Sequence, residues 1–384
     1  MKVHHLLKGF NFLYFGMLAL FIPFLPVFLT EQGLTPSQIG LIVGTGGFVT
    51  IITQPLWGVI SDRTKTIRKV MLLLIVMASI FGFFLFDSKQ FLFLVIFAML
   101  VYFFLMPIDP LTESLNFTVA EAQRISYGSI RTYGALGYAV LSLITGYLMS
   151  YLGLSSVAVL FVILGIISFA IVWKMPDAPV SSTPVTKEGL KNFLSNRKTL
   201  LFLLLCFISS VPARMNDTFL GVHIRNLGGN TEMVGQAFFL AAASEIAVFS
   251  LSFWWLRNGK ELMVITIAAF FFFVRFFTSA WISDPQWLAI LQVMQMLTFP
   301  IFYTAAIQYL YSIVPSEWRA TGQTVLALLF FGVSGIIASY AGGFMYNALS
   351  GKVFYLIISA MSLIGTIFGA ILFKKYEYKK VQHS

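Results

Sequence analysis

The sequence predicts an all-α membrane protein with twelve transmembrane helices, and three observations carry that prediction. Hydrophobic residues make up 58% of the 384 and charged residues only 10%, whereas soluble domains carry about 25% charge. Mean hydropathy is +0.87. Apolar runs of spanning length recur from one end of the chain to the other. A water-soluble fold could not cover that much apolar surface, so lipid is the expected solvent.

A spanning helix needs about 20 mostly apolar residues. The stretches 70–86, 151–173 and 353–373 contain no charge and anchor the reading. Working outward from them, helices are expected near 9–30, 37–61, 70–86, 91–118, 128–150, 154–173, 199–224, 233–256, 262–282, 286–314, 320–348 and 353–373. The first lacks a small-residue cleavage site and is read as a retained helix, not a signal peptide. In the fourth, Pro107 and Pro110 loosen the helix and free backbone carbonyls toward a cavity. The fifth carries Gly134 and Gly137 and the eleventh Gly332 and Gly335, a matching spacing that lets helices pack backbone to backbone.

Orientation follows from Lys and Arg. Of the 25, Lys89, Arg225 and Lys352 fall in one set of gaps, and Arg131, Arg214 and Arg275 fall inside spans. The other nineteen occupy the alternate gaps and the termini. The positive-inside rule then places both termini in the cytoplasm of a multi-pass cell-membrane protein. The net charge of +10 is therefore a topology signal and gives no reason to invoke nucleic acid. The longest gap, 175–198, holds Pro176, Asp177, Pro179, Ser181, Ser182 and Pro184 followed by basic residues. It reads as a flexible cytoplasmic linker between an N-terminal bundle, 1–174, and a C-terminal bundle with a short tail, 199–384, six spans each. Cys206 is the single cysteine, so a disulfide within the chain is ruled out.

Ionisable groups inside spans cost at least about 2.5–3.5 kcal/mol each, so each needs a reason. Those present are Asp109, Glu113, Arg131, Arg214, Asp217, Glu245 and Arg275. Glu113 and Arg131 are equally spaced about Ala122, and Glu245 and Arg275 about Lys260, so each hairpin brings a carboxylate and a guanidinium to one depth. Structural ion pairs would account for either alone; one pair in each half fits a shared central cavity better. Asp109 and Glu113 lie four apart on one helical face. Two carboxylates that close in low dielectric cannot both ionise cheaply, which suits a proton carrier. Asp109 could equally cap the helical segment that starts at Pro110. Arg214 and Asp217, three apart, could simply neutralise each other. No histidine lies deep in a span, so proton coupling would use carboxylates.

Gly58, Asp62 and Arg63, followed by Arg68 and Lys69, resemble the loop between helices two and three that marks the major facilitator superfamily. In that family the cluster steadies one conformation of an alternating-access cycle. Here Lys65 stands where the pattern has glycine, and the loop is one residue longer. Within the superfamily the chain is similar, over almost its whole length, to the lactose permease and phenylpropionate permease group of symporters. The stretch from Tyr127 through Arg131, Gly134 and Gly137 to Tyr138 carries that likeness. The resemblance implies the major facilitator fold, a sugar-binding arginine at Arg131 with Glu113 as partner, and a ring-stacking aromatic at Tyr138. It also implies a helix-seven aspartate at Asp217, a glutamate coupling solute to proton at Glu245 and a coupling arginine at Arg275. Helix ten departs from the pattern: Gln292, Gln295 and Thr298 stand where the family has lysine, histidine and glutamate, and the glutamines could bind solute hydroxyls instead.

The expectation is a secondary active transporter for proton-coupled uptake of a small sugar or sugar-like solute. Its substrate-binding set is Glu113, Arg131, Tyr138, Asp217, Gln292 and Gln295, and its coupling set Glu245, Arg275 and Asp109. An aromatic or other small organic acid paired with Arg131, or export of a drug or metabolite, are the alternatives. An enzyme is disfavoured because no His-Glu-x-x-His, paired-cysteine or Gly-x-Ser-x-Gly arrangement occurs. A channel would not need two opposed-charge pairs. No cofactor or metal is implied; the expected partners are a solute, protons and the bilayer, with the monomer as the working unit.

Overall fold

The structure, a computed structural model, describes residues 3–175, 177, 196–250, 259–315 and 318–377. Most of the predicted linker, and Arg257 with the end of the predicted eighth span, lie outside them. Among the described residues every regular element is a helix. In chain order these are α1 (Val3–Phe21), α2 (Phe24–Glu31), α3 (Pro36–Thr64), α4 (Ile67–Asp87), α5 (Phe91–Leu105), α6 (Ile108–Gln123), α7 (Tyr127–Leu152) and α8 (Ser156–Trp173). There follow α9 (Arg197–Asn226), α10 (Thr231–Ser250), α11 (Glu261–Trp281), α12 (Pro285–Leu291), α13 (Phe299–Ile313), α14 (Arg319–Ala327), α15 (Ser334–Ala348) and α16 (Gly351–Tyr376). Among the described residues, eleven helical stretches are long and apolar enough to cross a membrane. Of the predicted eighth span, residues 233–250 fall on α10, and 251–256 lie outside the described residues.

The spans are less regular than their hydropathy. The first divides at Ile22 and Pro23, and the fourth at Met106 and Pro107. At the latter break the freed carbonyls are taken up: Tyr14 Oη donates to Leu105 O at 3.4 Å and Gln54 Nε2 to Met106 O at 3.3 Å. The tenth span, read as one helix over 286–314, is three pieces, because a 3₁₀ segment Gln292–Leu297 separates α12 from α13. Pro300 accounts for the break: it has no N–H to donate to the carbonyl four residues earlier, and it stands in the first turn of α13, after the non-helical Thr298. The eleventh carries a π-helical turn, Leu328–Val333.

Packing is tight where side chains are small. α7 lies along α1, α4 along α8, and α11 along α16. A Cβ at Gly137 would collide with the Phe12 carbonyl oxygen, so only glycine admits α1 this closely. The matching pair in the eleventh span does not do the same work. Gly332 sits in the π turn against Ile51, and a Cβ at Gly335 would meet nothing within 4 Å. Asn11 and Asn116 exchange amide hydrogen bonds of 2.8 and 3.0 Å between α1 and α6, fully buried.

Candidate functional site

Among the described residues, two clusters and one further pair of charged side chains lie within the spans. In the first, Arg131 Nε donates to Glu113 Oε1 at 2.9 Å, joining α7 to α6. Tyr127 Oη donates to the other carboxylate oxygen of Glu113. The Phe15 ring lies 4.0 Å beneath the guanidinium, a favourable cation–π placement. The two charged side chains keep 36% and 24% exposure. The local sequence explains the cluster: Tyr127 and Arg131 are one turn apart on one face of α7. Gly134 leaves room for Phe15, since a Cβ there would fall 2.6 Å from that ring. The turn between α6 and α7 lies at Arg124–Ser126, not about Ala122, so the equal spacing was not the cause of the pairing. The long side chains make up the offset.

Asp109 lies one turn before Glu113, within electrostatic range of it and of Arg131. Its Oδ1 is buried without a hydrogen-bond partner. It does not cap α6, whose N-cap is Pro107 with no side-chain bond.

In the second cluster Arg275 on α11 is 2% exposed, and its terminal nitrogens donate to Gln295 and Gln292. Gln295 Nε2 in turn donates to Glu245 Oε1 on α10 at 2.7 Å. The direct Glu245–Arg275 pairing expected from the sequence is therefore corrected: Gln295 stands between them. The 3₁₀ segment is the reason, because at three residues per turn Gln292 and Gln295 eclipse and both face α11. In an α-helix they would diverge by about 60°. Neither glutamine stands open to a solute here; Gln292 is fully buried and Gln295 8% exposed.

Arg214 and Asp217 pair within α9 at 2.5 Å, with side chains 23% and 31% exposed. The Arg214 guanidinium also faces Phe331 and Phe330 of the π turn at 5.2 and 5.9 Å. Tyr138 links the clusters. It lies two turns beyond Arg131 on the same face of α7, about 10 Å along the axis, and within electrostatic range of Asp217, Glu245 and Arg214.

At one end of the molecule, glycines bring two pairs of helices into backbone contact. A Cβ at Gly40 on α3 would collide with the Ser339 carbonyl and lie 2.9 Å from Gly343 Cα, both on α15. A Cβ at Gly146 on α7 would meet the Thr231 carbonyl at 2.7 Å and Gly235 Cα at 2.8 Å, on α10. Thr231 Oγ1 donates to Gly146 O at 3.1 Å across the second seam. Arg225 adds an ion pair to Glu31 at 2.6 Å, tying α9 to α2. All of these lie away from the helix ends that carry the basic loops.

The loop after α3 belongs to the opposite end. Lys65 adopts φ 53, the left-handed conformation that favours glycine, and ends α3. Arg68 Nη1 donates to Met175 O at 3.0 Å and its backbone N–H to Asp177 Oδ1 at 3.1 Å, fastening the start of α4 to the chain after α8. The Lys69 N–H is capped by Thr66 Oγ1 at 3.2 Å. Arg63 is exposed, Asp62 half-buried, and Gly58 has open space where a side chain would be.

Sequence reasoning missed Tyr127, Phe15, the Phe330–Phe331 pair and the bridging role of Gln295. Tyr127 was detectable from its i,i+4 relation to Arg131. The others come from distant parts of the chain.

The profile of the MFS_1 like family matches residues 4–357. The chain is 27% identical over 383 residues to the uncharacterized transporter YwbF of Bacillus subtilis (strain 168), covering 98% of this chain and 95% of that one. It is 25% identical to a maltose permease of Geobacillus stearothermophilus, covering 95% and 93%. Among solved structures, the nucleoside transporter NupG superposes with a TM-score of 0.84 at 14% identity, covering 97% and 100%. That likeness is one of fold.

Proposed function

Since this chain belongs to the MFS_1 like family of major facilitator transporters, we propose that it imports a small sugar or sugar-like solute together with a proton by alternating access. The observation that carries this reading is the Arg131–Glu113 pair, exposed enough to be approached and floored by Phe15. A guanidinium fork beside a carboxylate offers paired donors and an acceptor, which suits vicinal hydroxyls. Tyr138 supplies an aromatic side chain between the clusters, within electrostatic range of Asp217 and Glu245. The likeness to a maltose permease points the same way.

In this reading 1–174 and 199–384 are two bundles of six spans joined by the linker, and both termini are cytoplasmic. The glycine seams then close the outer side, and the solute site opens inward. Glu245 holds the exchangeable proton. When it ionises, its charge strengthens the bond that Gln295 Nε2 donates to it and, through the polarised amide, the bond that Gln295 Oε1 accepts from Arg275; when it is protonated, both weaken. Asp109 is a second carrier beside the solute pair. Asp217 and Arg214 line the far wall with Phe330 and Phe331. Gln292 and Gln295 hold the coupling arginine instead of the solute.

The test is alkalinisation of the medium around energy-starved cells given sugars, nucleosides and aromatic carboxylates in turn. A sugar should draw protons in, and Arg131→Lys should abolish the response at unchanged expression, because lysine keeps the charge and loses the fork. Glu245→Gln should lose proton movement and keep solute exchange. A response confined to aromatic carboxylates would move the assignment to an organic-acid permease. Accumulation without proton entry would remove the coupling.

A further inference from the structure

Away from both clusters, α4 and α8 enclose an open depression of about 530 Å³ whose lining is almost wholly apolar. Val76, Ile80 and Phe83 form one wall, and Val162, Ile166 and Phe169 the other. Its floor is where the helices touch, since a Cβ at Gly165 would collide with Ser79 Oγ. The α4 wall runs from Ile75 to Phe84, about 14 Å of helix, and starts about 9 Å beyond Lys69, within reach of an acyl chain that enters from that end.

The two ends of the depression differ in charge. Lys69 and Val76 are two turns apart on the stripe that continues to Phe83, and Lys69 is exposed. On α8 the stripe through Ile166 and Phe169 ends on Trp173, which stacks on Phe169 with centroids 5.8 Å apart and is 65% exposed, as an interfacial aromatic would be. Exposed Lys174 follows. Arg63, Lys65 and Arg68 lie at the same end, against the acidic Asp62 and Asp177. At the other end Asp87 and Lys89 balance. Only one end therefore suits an anion.

We propose that this depression is a binding site for one anionic phospholipid, its acyl chain between α4 and α8 and its headgroup between Lys69 and Lys174. The side of the membrane rests on the orientation given under the proposed function, which puts the headgroup in the cytoplasmic leaflet, where anionic lipids attract basic side chains.

Native mass spectrometry of delipidated protein, with phosphatidylglycerol or phosphatidylcholine added back, tests the assignment. The parent should retain one phosphatidylglycerol at least roughly tenfold more tightly than phosphatidylcholine. Lys69→Gln with Lys174→Gln should erase that preference while leaving the thermal transition in place. Ile80→Trp, at an exposed position of the wall, should weaken retention of both lipids by filling the chain slot. Equal retention of the two lipids by the parent, or an undiminished preference in the double glutamine variant, overturns the proposal. The readout is lipid mass, so it is independent of whether any sugar is transported.

Discussion

At the scale of single residues, Lys65 shows how a departure from a family pattern acquires physical content. The superfamily loop has glycine there, and Lys65 takes the positive φ that glycine adopts freely. A side chain in that conformation costs about 1 kcal/mol. Lys65→Gly should therefore raise stability by up to about 1 kcal/mol, seen as a higher thermal transition in detergent; a lower transition would mean the lysine side chain makes contacts worth more than the strain. The intramembrane charges were legible for a related reason. Ionisable groups are so costly in lipid that each one announces itself in the sequence, and Glu113 with Arg131 do pair. Aromatic neighbours such as Phe15 were not legible, because a phenylalanine facing a guanidinium looks the same in sequence as one facing lipid.

At the scale of elements, the spans could be read from hydropathy while their breaks could not. Hydropathy averages over about 20 residues, and the 3₁₀ segment Gln292–Leu297 is only 6 long. Yet that segment decides the second cluster, because it turns Gln292 and Gln295 together onto Arg275. Replacing Gln295 by methionine preserves bulk and leaves the buried guanidinium one acceptor short. Hydrogen bonds to charged groups contribute about 1.5–3 kcal/mol, so Gln295→Met should lower stability by about 2 kcal/mol. Adding Arg275→Met should restore part of it, since the uncompensated charge is then gone. Additive losses in a double-mutant cycle would show that the two residues do not act together. A second element-level lock closes the chain's end. Glu377, just past α16, accepts from Leu262 N–H at 3.0 Å and Met263 N–H at 3.3 Å at the start of α11, beside Glu261. Burial first, and then the neighbouring Glu261, push its carboxyl up to about 7. A folded-state value above the unfolded one favours the protonated form, so its contribution is complete below about 4.5 and is lost as pH rises through about 7. Amide exchange at Leu262 and Met263 should therefore quicken between those limits beyond the intrinsic base-catalysed rise. The excess should vanish in Glu377→Gln.

At the scale of the whole molecule, the proposed alternating access makes the glycine seams the contacts that close one face. Gly40 against Gly343 and Gly146 against Gly235 are contacts between backbones, so they form only when the four helices lie as close as they do here. The Glu31–Arg225 pair sits at the same end and reports the same closure. A substitution at Gly146 cannot be absorbed by a rotamer change, because its obstacle would be the Thr231 carbonyl and Gly235 Cα. Gly146→Leu should thus bias the molecule away from this conformation without disturbing either charged cluster. Cysteines at positions 31 and 225 measure the bias, since Cys206 is buried and does not compete. In the parent background a bifunctional thiol reagent about as long as the Glu31 and Arg225 side chains together should join them rapidly and arrest uptake. In the Gly146→Leu background cross-linking should slow several-fold, and Arg131 should become reachable from the opposite side of the membrane. An unchanged cross-linking rate would mean that the seam and the ion pair open independently, and closure would then belong to separate contacts instead of one rigid rocking motion.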